Sequence, residues 1–414
     1  MTTITTSRPT PRRLVRAAGG ARYAVALAVD AVGTGLLRPF LLLYGITVLH
    51  LGAATTGLAM TAGIVAGLAA MPPLGRWLDR GARSSAVAAA MLVRVAGVAV
   101  LLATPPGNAA LFAVAALILG VGNQAWPAAH AALVATVSDG GLRDAALAAA
   151  RAVRNAGLGV GALLATVCLS GGAPALRALA AVSGAGFLAA ALLAHSVRVT
   201  AAPAPPTAAP TAPPTARTAE RALGAVLLAN VVYVFCLNVP EVALPLVLVT
   251  VLHASPAWSA AVFVTNTVLV VALQLPVTAW AAARWSRGTV LALSGAVLAA
   301  SYLGFLLAAP FGPLAVALVS VPCTLGEILY AGSSTALVTA LAPAPVLGRA
   351  LARFQLSTGL GLAVSPAAIT ALAAVGPLAL WGTLAAATLG ASAAVRRAAG
   401  GVPRGRNRVG APAT

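Results

Sequence analysis

Three carboxylates lie within long apolar runs, and they are the side chains of this sequence best suited to chemistry. The chain has 414 residues but only seven acidic ones, and Asp30, Glu241 and Glu327 are surrounded by alanine, leucine and valine. A carboxylate kept away from water can exchange a proton near neutral pH, or it can form a buried ion pair that fixes helix packing. Both interpretations stay open for each of the three residues.

Arginines in the same kind of run are the natural partners of these carboxylates. Arg38 follows Asp30 by a little over two helical turns, so the two are expected to share a helix face roughly 12 Å apart along the axis. Arg38 can pair with Glu241 or bind an anionic group of a solute, and the sequence does not choose between them. Arg94 lies in the middle of another run, and Asp30 is one candidate partner for it. The acidic residues near predicted loops are expected to be solvated: Asp139, Asp144 and Glu220.

The composition places these residues in a membrane. The chain is 60% hydrophobic and 8% charged, whereas a soluble domain carries about 25% charged residues. Its mean hydropathy of +0.97 extends over the whole length, and the abundant alanine, leucine, valine and glycine favour closely packed helices over a β-barrel. The net charge of +19 comes from arginines, which we interpret as positive charge in loops and tails and not as a nucleic-acid surface.

No pattern in the sequence indicates a cofactor, a metal site or an enzyme. The three cysteines and four histidines have no metal-ligand spacing, so neither a metal site nor a disulfide is expected. There is no phosphate-binding loop, and no nucleophile, base and acid occur on a loop long enough to hold an active site. We therefore expect a protein that is not an enzyme and needs no cofactor.

Turn residues and charges divide the apolar runs into twelve predicted transmembrane helices. With the amino terminus in the cytoplasm, all arginines except Arg38, Arg94 and Arg177 fall at or near the cytoplasmic face. This asymmetry follows the positive-inside rule and requires an even number of spans. We expect a multi-pass protein of the cell (plasma) membrane with both termini in the cytoplasm. The predicted helices cover residues 22–49, 55–75, 84–104, 108–136, 145–169, 174–197, 222–252, 256–283, 288–309, 312–341, 350–374 and 377–395.

A proline-rich stretch at Ala201–Ala216 separates two halves that resemble each other. Short matches recur at an offset of 202–207 residues in four regions, such as NAGLG at Asn155–Gly159 and STGLG at Ser357–Gly361. The halves are therefore predicted to be parallel six-helix repeats related by an axis along the membrane normal, with a binding site where they face each other. The predicted parts are a six-helix bundle at 1–198, a cytoplasmic linker at 199–221, a second bundle at 222–396 and a basic cytoplasmic tail at 397–414.

The loop between the second and third predicted helices resembles the signature of the major facilitator superfamily. It reads Gly75-Arg-Trp-Leu-Asp79-Arg80-Gly-Ala-Arg83, a glycine followed four residues later by Asp-Arg and then by a further basic residue. The six-plus-six arrangement agrees with that family. The first span, at Asp30–Pro39, is similar to the opening helix of its drug-efflux-like members.

This resemblance implies a fold and an activity. The fold is an all-α polytopic membrane protein with twelve transmembrane helices in two pseudo-symmetric six-helix bundles. The activity is secondary active transport of a small, apolar or amphipathic solute by alternating access, with proton-coupled efflux as the leading expectation. An importer or symporter of a metabolite is the alternative, followed by a non-transporting sensor or a membrane-embedded enzyme. The implied partners are a small-molecule substrate, protons and the lipid bilayer, and the chain is expected to be a monomer.

The departures from the family's pattern concern the direction of transport. Ala82 and Ser84 replace a glycine and a basic residue of the signature. The fourth predicted helix lacks the intramembrane arginine typical of proton-driven drug exporters, and the fifth lacks the glycine-proline pattern of antiporters. The fold is compatible with these departures, whereas antiport becomes less secure.

In this superfamily the first, fourth, seventh and tenth helices line the cavity, and this assigns roles to named residues. The repeat offset matches Arg38 with Glu241, Asn123 with Glu327, Trp126 with Tyr330 and Arg151 with Arg353. The candidates for the transport pathway and proton coupling are Asp30, Arg38, Asn123, Glu241 and Glu327, with Trp126 and Tyr330 as cavity aromatics. The candidates for inter-bundle contacts on the cytoplasmic side are Arg151, Arg154 and Arg353.

The signature loop is expected to act as a gate. Asp79 can accept hydrogen bonds from N–H groups at a helix amino terminus, or pair with an arginine of the other half, and either would hold the cytoplasmic side closed. Gly75 would let the second helix approach a neighbour closely. Arg80 and Arg83 belong either to this gate or to the ordinary positive charge of cytoplasmic loops.

Overall fold

Twelve long helices build the part of the chain that the structure describes. The computed structural model describes residues 10–168, 171–199 and 214–400. A short helix, Pro11–Ala17, comes first. The long helices are α1 (Ala21–Leu37 with Leu41–Thr47), α2 (Ala53–Ala69 with Met71–Asp79), α3 (Ser84–Ala103), α4 (Ala109–Val137), α5 (Gly140–Cys168), α6 (Gly172–Ser196), α7 (Pro214–Leu237 and its continuation to Val251), α8 (Pro256–Arg284), α9 (Arg287–Ala308), α10 (Pro313–Leu341), α11 (Leu347–Val375) and α12 (Pro377–Gly400).

Eleven helices in the described ranges are long and apolar enough to cross a membrane. The remaining long helix, α5, has 29 residues, but its first half carries Arg151, Arg154 and Asn155, which lower its hydropathy. The predicted all-α polytopic fold is confirmed. Because α7 starts at Pro214 and α12 ends at Gly400, these two helices extend into the predicted linker and tail. The rest of both segments, 200–213 and 401–414, lies outside the described residues.

The first helices of the two halves, α1 and α7, are both interrupted near their middle. In α1 a single 3-10 turn, Arg38–Phe40, separates two α-helical parts, because Pro39 has no N–H to donate to the helix. In α7 two π-helical segments, Val239–Ala243 and Val247–Val251, flank a short α-helical piece. Such interruptions change the direction in which the following side chains point.

The helix contacts repeat from one half to the other. In the first half α1 packs on α5 and α6, α2 on α4, and α3 on α4 and α6. The second half repeats every one of these pairings six helices later, from α7 on α11 and α12 to α9 on α10 and α12. Across the halves α2 packs on α11 and α5 packs on α8, which are again equivalent pairs. We use "linker side" for the side at which α6 ends and α7 begins.

Glycines set the closest approaches within the bundles. At the crossing of α2 and α4, Gly63 and Gly120 face each other, and a Cβ added at Gly120 would meet the backbone carbonyl of Gly63. Backbone atoms at such a contact cannot turn aside as a flexible side chain can. Small residues at helix crossings are a common way to pack helices in a membrane, since they allow extensive van der Waals contact.

Gly120→Ala is therefore expected to destabilise the first bundle by about 1–3 kcal/mol, the usual cost of overpacking. The matched control is Gly390→Ala in α12, where an added Cβ would meet nothing within 4 Å. Thermal unfolding of the purified proteins in detergent should show a lower melting temperature for the first variant only. Equal melting temperatures would contradict the close approach of α2 and α4.

Candidate functional site

A cavity of about 670 Å³ lies between the two halves. Helices α1, α2, α4 and α5 line it from one half, and α7, α8, α10 and α11 from the other. Its volume is in the range that holds a small organic ligand. The polar side chains of its wall are Arg38, Asn123, Gln124, His130, Arg151, Arg154, Asn155, Asn266, Gln274, Glu327, Tyr330, Thr335, Gln355 and Thr358.

Most of the predicted pathway residues line this cavity. Arg38, Asn123 and Glu327 are on its wall, together with the two aromatic residues Trp126 and Tyr330. Glu241 lies in the π-helical segment Val239–Ala243, and its side chain is outside the described part of the structure. Asp30 is absent from the described lining residues and has no exposed surface.

Asp30 is instead the centre of a buried ion cluster that joins α1, α3 and α5. Its Oδ1 lies 2.5 Å from Nη2 of Arg94, and its Oδ2 lies 3.4 Å from Nη1 of Arg154. Arg94 also donates to the hydroxyl of Thr34 and covers the ring of Phe187 at 4.5 Å. Arg94, which the sequence leaves without an assigned partner, thus has a carboxylate and an aromatic face as its environment.

Asp30 and Arg38, which are predicted to share a face of α1, differ in their exposure. The 3-10 turn begins at Arg38, whose backbone N–H still donates to the Thr34 carbonyl as in a regular helix. Arg38 is exposed and lines the cavity, whereas Asp30 is directed to α3 and α5. The helix is regular up to Arg38, so the two residues differ because eight residues make about 2.2 turns of an α-helix, which leaves their side chains about 80° apart around the axis.

An aromatic column extends from Arg154 across α4. The Arg154 guanidinium lies 4.2 Å from the centre of the Trp126 ring, and the Trp126 ring stacks on His130 at 5.0 Å and nearly parallel. The Nδ1 of His130 is 2.8 Å from the hydroxyl of Tyr23. A cation over a buried tryptophan is attracted to the electron-rich face of the ring. The sequence analysis missed His130, although its position one turn after Trp126 is a signal for this stack.

Glu327 has a polar environment on the cavity wall of the second half. Asn266 donates from Nδ2 to Oε2 of Glu327 at 2.8 Å and to the hydroxyl of Thr324 at 3.0 Å. One turn along α10, Tyr330 donates to Oδ1 of Asn230. These contacts hold Glu327 as a hydrogen-bonded carboxylate on the wall of the cavity.

Asp79 of the signature loop crosses to the other half on the linker side. Its Oδ1 accepts from the backbone N–H groups of Gly348 at 2.7 Å and Arg349 at 3.3 Å, and its Oδ2 accepts from Nε of Arg349 at 2.6 Å. The two alternatives for Asp79 are therefore realised together, at the amino terminus of α11. Gly75, one turn earlier, would place an added Cβ 2.9 Å from the Cα of Arg349, so it permits this close approach.

A second ion pair joins the halves on the linker side, with the acid again in the first half and the arginine in the second. Asp144 at the start of α5 lies 2.8 Å from Nε of Arg287 at the start of α9, and both side chains are buried. The expectation that Asp144 is solvated is wrong, because the first turns of α5 pack against the second half. Both acids belong to the first half: Asp79 lies at the end of α2 and Asp144 at the start of α5.

The two arginines that follow Asp79 in the signature loop, Arg80 and Arg83, differ in exposure. Arg80 is exposed, whereas Arg83 is buried and donates to the Thr136 hydroxyl at 2.6 Å. Burial lowers the pKa of the Arg83 guanidinium, and the nearby charge of Asp79 opposes this effect. Arg83 therefore ties the loop to α4 of its own half.

The inter-bundle role of Arg151, Arg154 and Arg353 stays a prediction. Arg154 makes its ion pair within the first half, and both Arg151 and Arg154 line the cavity. Arg353 is exposed. The guanidiniums that cross between the halves belong to Arg287 and Arg349. The offset that matches Arg151 with Arg353 pairs positions on equivalent helices, and it does not say which face each side chain occupies.

The repeated helix pairings, the central cavity and the contacts on one side define a membrane transporter built from two similar bundles. The sequence profile described as Major Facilitator Superfamily matches residues 23–366, and the chain belongs to this family. No curated protein sequence matches the chain at a significant level.

Solved structures of transporters share the fold of this chain. The human organic anion transporter MFSD10 (TETRAN) has a TM-score of 0.72 at 14% identity, with 93% of this chain and 100% of that one covered. A bacterial homologue of the iron transporter ferroportin, in an outward-facing state with soaked iron, has a TM-score of 0.76 at 10% identity, with 91% and 98% covered. The transporter FucP in its outward conformation has a TM-score of 0.68 at 14% identity, with 91% and 97% covered.

Asp30→Asn is expected to destabilise the protein strongly, by about 3–5 kcal/mol, because it removes the carboxylate that two buried guanidiniums share. Replacing Asp30 and Arg94 together by leucine should recover part of this loss, since a buried ion pair is often replaceable by apolar residues. Thermal unfolding in detergent measures both effects. The exposed Asp139 provides the control, and an Asp30→Asn protein as stable as Asp139→Asn would show that the ion cluster is not needed.

Asp79→Asn is expected to loosen the linker side. The variant keeps an oxygen for the N–H groups of α11 but loses its charge, and Arg349 is half-exposed, so the population with separated α2 and α11 should grow by about threefold to tenfold. Spin labels at the exposed positions of Trp77 and Arg353 report this as a longer distance. An unchanged distance distribution would assign the closure to other contacts.

Proposed function

We propose that the chain is a secondary active transporter which moves a small amphipathic solute by alternating access, coupled to protons. The observation that carries this proposal is a cavity shared by both halves, with inter-bundle ion pairs at one of its ends. Alternating access requires contacts that hold one side closed and can be exchanged for contacts on the other side. The pairs Asp79–Arg349 and Asp144–Arg287 are of this kind, because each consists of one side chain from each half.

We place the linker side in the cytoplasm on the basis of the arginine distribution and the positive-inside rule. With this orientation, both inter-bundle ion pairs close the cytoplasmic side. The cavity would then be reached from outside the cell. Two of the transporters with a similar fold are described as outward-facing or in an outward conformation, which supports this assignment.

Glu327 is the carboxylate we propose for proton coupling. It lines the cavity, so a solute or a proton can reach it, and it accepts a hydrogen bond from Asn266. Protonation would remove a charge from the cavity wall and lower the cost of closing the halves around the solute. Asp30 is less suited to this role, since two guanidiniums hold its charge in place.

The direction we propose is export, as the resemblance to drug-efflux-like transporters suggests. Import by symport is the second candidate, and the similar folds of a fucose:proton symporter of E. coli and of the proton:xylose symporter XylE favour it. The two directions differ in the sign of the proton movement that accompanies the solute. Everted vesicles or proteoliposomes with a pH-sensitive dye and an imposed pH gradient distinguish them.

Glu327→Gln is expected to abolish solute-induced collapse of a pH gradient in these vesicles while leaving the protein folded, because glutamine keeps the size and the hydrogen bond from Asn266. The control is Glu220→Gln, an exposed glutamate at the start of the second half, which should behave as wild type. Transport that stays pH-dependent in Glu327→Gln would remove this residue from the coupling mechanism. A wild-type protein that moves no solute from a panel of acids, bases and neutral compounds would contradict transport itself.

A further inference from the structure

The described part of the cavity wall carries more positive than negative charge. Three arginines, Arg38, Arg151 and Arg154, line it from the first half, and Glu327 lines it from the second. Arg94 lies directly behind, and the charges of Arg38, Arg94 and Arg151 all act on Arg154. Four guanidiniums thus lie close together in the first half, with one described carboxylate, Asp30, among them.

Asp30 cannot neutralise this group. It contacts Arg94 at 2.5 Å and Arg154 at the longer distance of 3.4 Å, so one negative charge is shared by two positive ones. Among the carboxylates whose side chains the structure describes, none lies within 4 Å of Arg38 or Arg151. Buried charge of one sign is costly unless an opposite charge compensates it.

The geometry of α5 places two of these arginines side by side. Arg151 and Arg154 are one helical turn apart, so their side chains lie on the same face and both reach the cavity. Tyr330 of the other half lines the same cavity as Arg151. An anionic group between Arg151 and Arg154 would therefore accept hydrogen bonds from these two guanidiniums. It would lie next to the wall that the second half contributes to the cavity.

A further donor points to the same kind of ligand. The Trp126 ring lies under Arg154, and its indole N–H is buried without an acceptor among the described residues. An indole N–H is a donor only, and leaving it unpaired in a buried site has a cost. A ligand oxygen beside Arg154 would supply an acceptor for the indole N–H of Trp126.

The cavity also offers apolar side chains away from Arg151 and Arg154. Leu41, Met60 and Ile64 form its wall away from the linker side, with Leu362 from the second half. A solute with a charged group at the arginines would place its remaining body against these side chains. A pocket of this type binds apolar surface with little directional preference, whereas the guanidiniums select the charged group.

We infer that the transported solute is an organic anion, with one carboxylate-type group bound by Arg151 and Arg154 and an apolar body against Leu41, Met60 and Ile64. This inference rests on the proposed transport function and names the substrate class of that same cavity. It also replaces the sequence-based picture of a cavity with three acids, because Asp30 lies in an ion cluster behind the wall.

The test compares three compounds of the same shape that differ only in charge: phenylbutyrate, phenylbutyramide and phenylbutylammonium. Binding to the purified full-length protein in lipid nanodiscs is measured by calorimetry and by thermal stabilisation. The carboxylate is expected to bind saturably and at least about tenfold more tightly than the amide, the factor that one charge-assisted hydrogen bond supplies. Phenylbutylammonium is expected not to bind.

The decisive variant is Arg151→Gln, because this arginine has no described carboxylate partner and its loss leaves no buried acid behind. Binding of phenylbutyrate should weaken by about tenfold or more, while binding of the amide stays unchanged. Arg154→Lys, which keeps the charge but not the planar fork, should weaken it as well. The control Arg353→Gln changes the repeat-related and exposed arginine of α11 and should bind as wild type.

The outcomes separate this inference from the proposed function. Equal or tighter binding of the amide or the ammonium compound would overturn it, as would wild-type affinity for phenylbutyrate in Arg151→Gln. If vesicles transport neutral or cationic compounds but no monocarboxylate from a panel, the anion assignment fails and the transporter stands. If they transport no compound of any class, the proposed function fails.

Discussion

The ion cluster around Asp30 is the interaction on which the arrangement of the first half depends. Three helices, α1, α3 and α5, meet at one carboxylate that has no contact with solvent. Charged side chains are tolerated in such a place only with partners, so the position of each guanidinium is restricted by Asp30 and by the rings of Phe187 and Trp126. Because Arg154 takes part in the cluster and in the cavity wall, the packing of the bundle and the charge of the cavity are linked.

The second half uses neutral hydrogen bonds where the first half uses charge. Asn230 on α7 accepts a hydrogen bond from Tyr330 and donates to Ser357 and Thr358. These hydrogen bonds join α7 to α10 and α11, whereas the ion cluster of Asp30 joins α1 to α3 and α5. The two halves thus share their helix pairings but differ in the chemistry of their interiors. A site formed between them is necessarily asymmetric, with cations on one wall and amide, hydroxyl and carboxylate groups on the other.

The sequence was sufficient to predict the fold but only part of the site. Hydropathy, the arginine distribution and the repeat offset predict twelve helices in two halves, since these signals depend on the membrane and on chain length. Side-chain direction depends on details that periodicity does not contain. Asp30 is buried against α3 and α5, whereas Arg38, two turns later, lines the cavity; the first turns of α5 are covered by the second half, so Asp144 is buried. Some pairs are brought together only by the tertiary fold, such as Arg94 with Asp30. The sequence suggests such a pair as one of several alternatives but does not select it.

The shared polarity of the two linker-side ion pairs has a consequence for how the halves recognise each other. In the first half the end of α2 and the start of α5 present acids, Asp79 and Asp144, and in the second half the starts of α9 and α11 present Arg287 and Arg349. Two copies of the first half placed in this arrangement would oppose acid to acid, and two copies of the second would oppose arginine to arginine. On the linker side each bundle therefore carries charges that attract the other bundle and would repel a copy of itself, so these charges favour the pairing of unlike bundles.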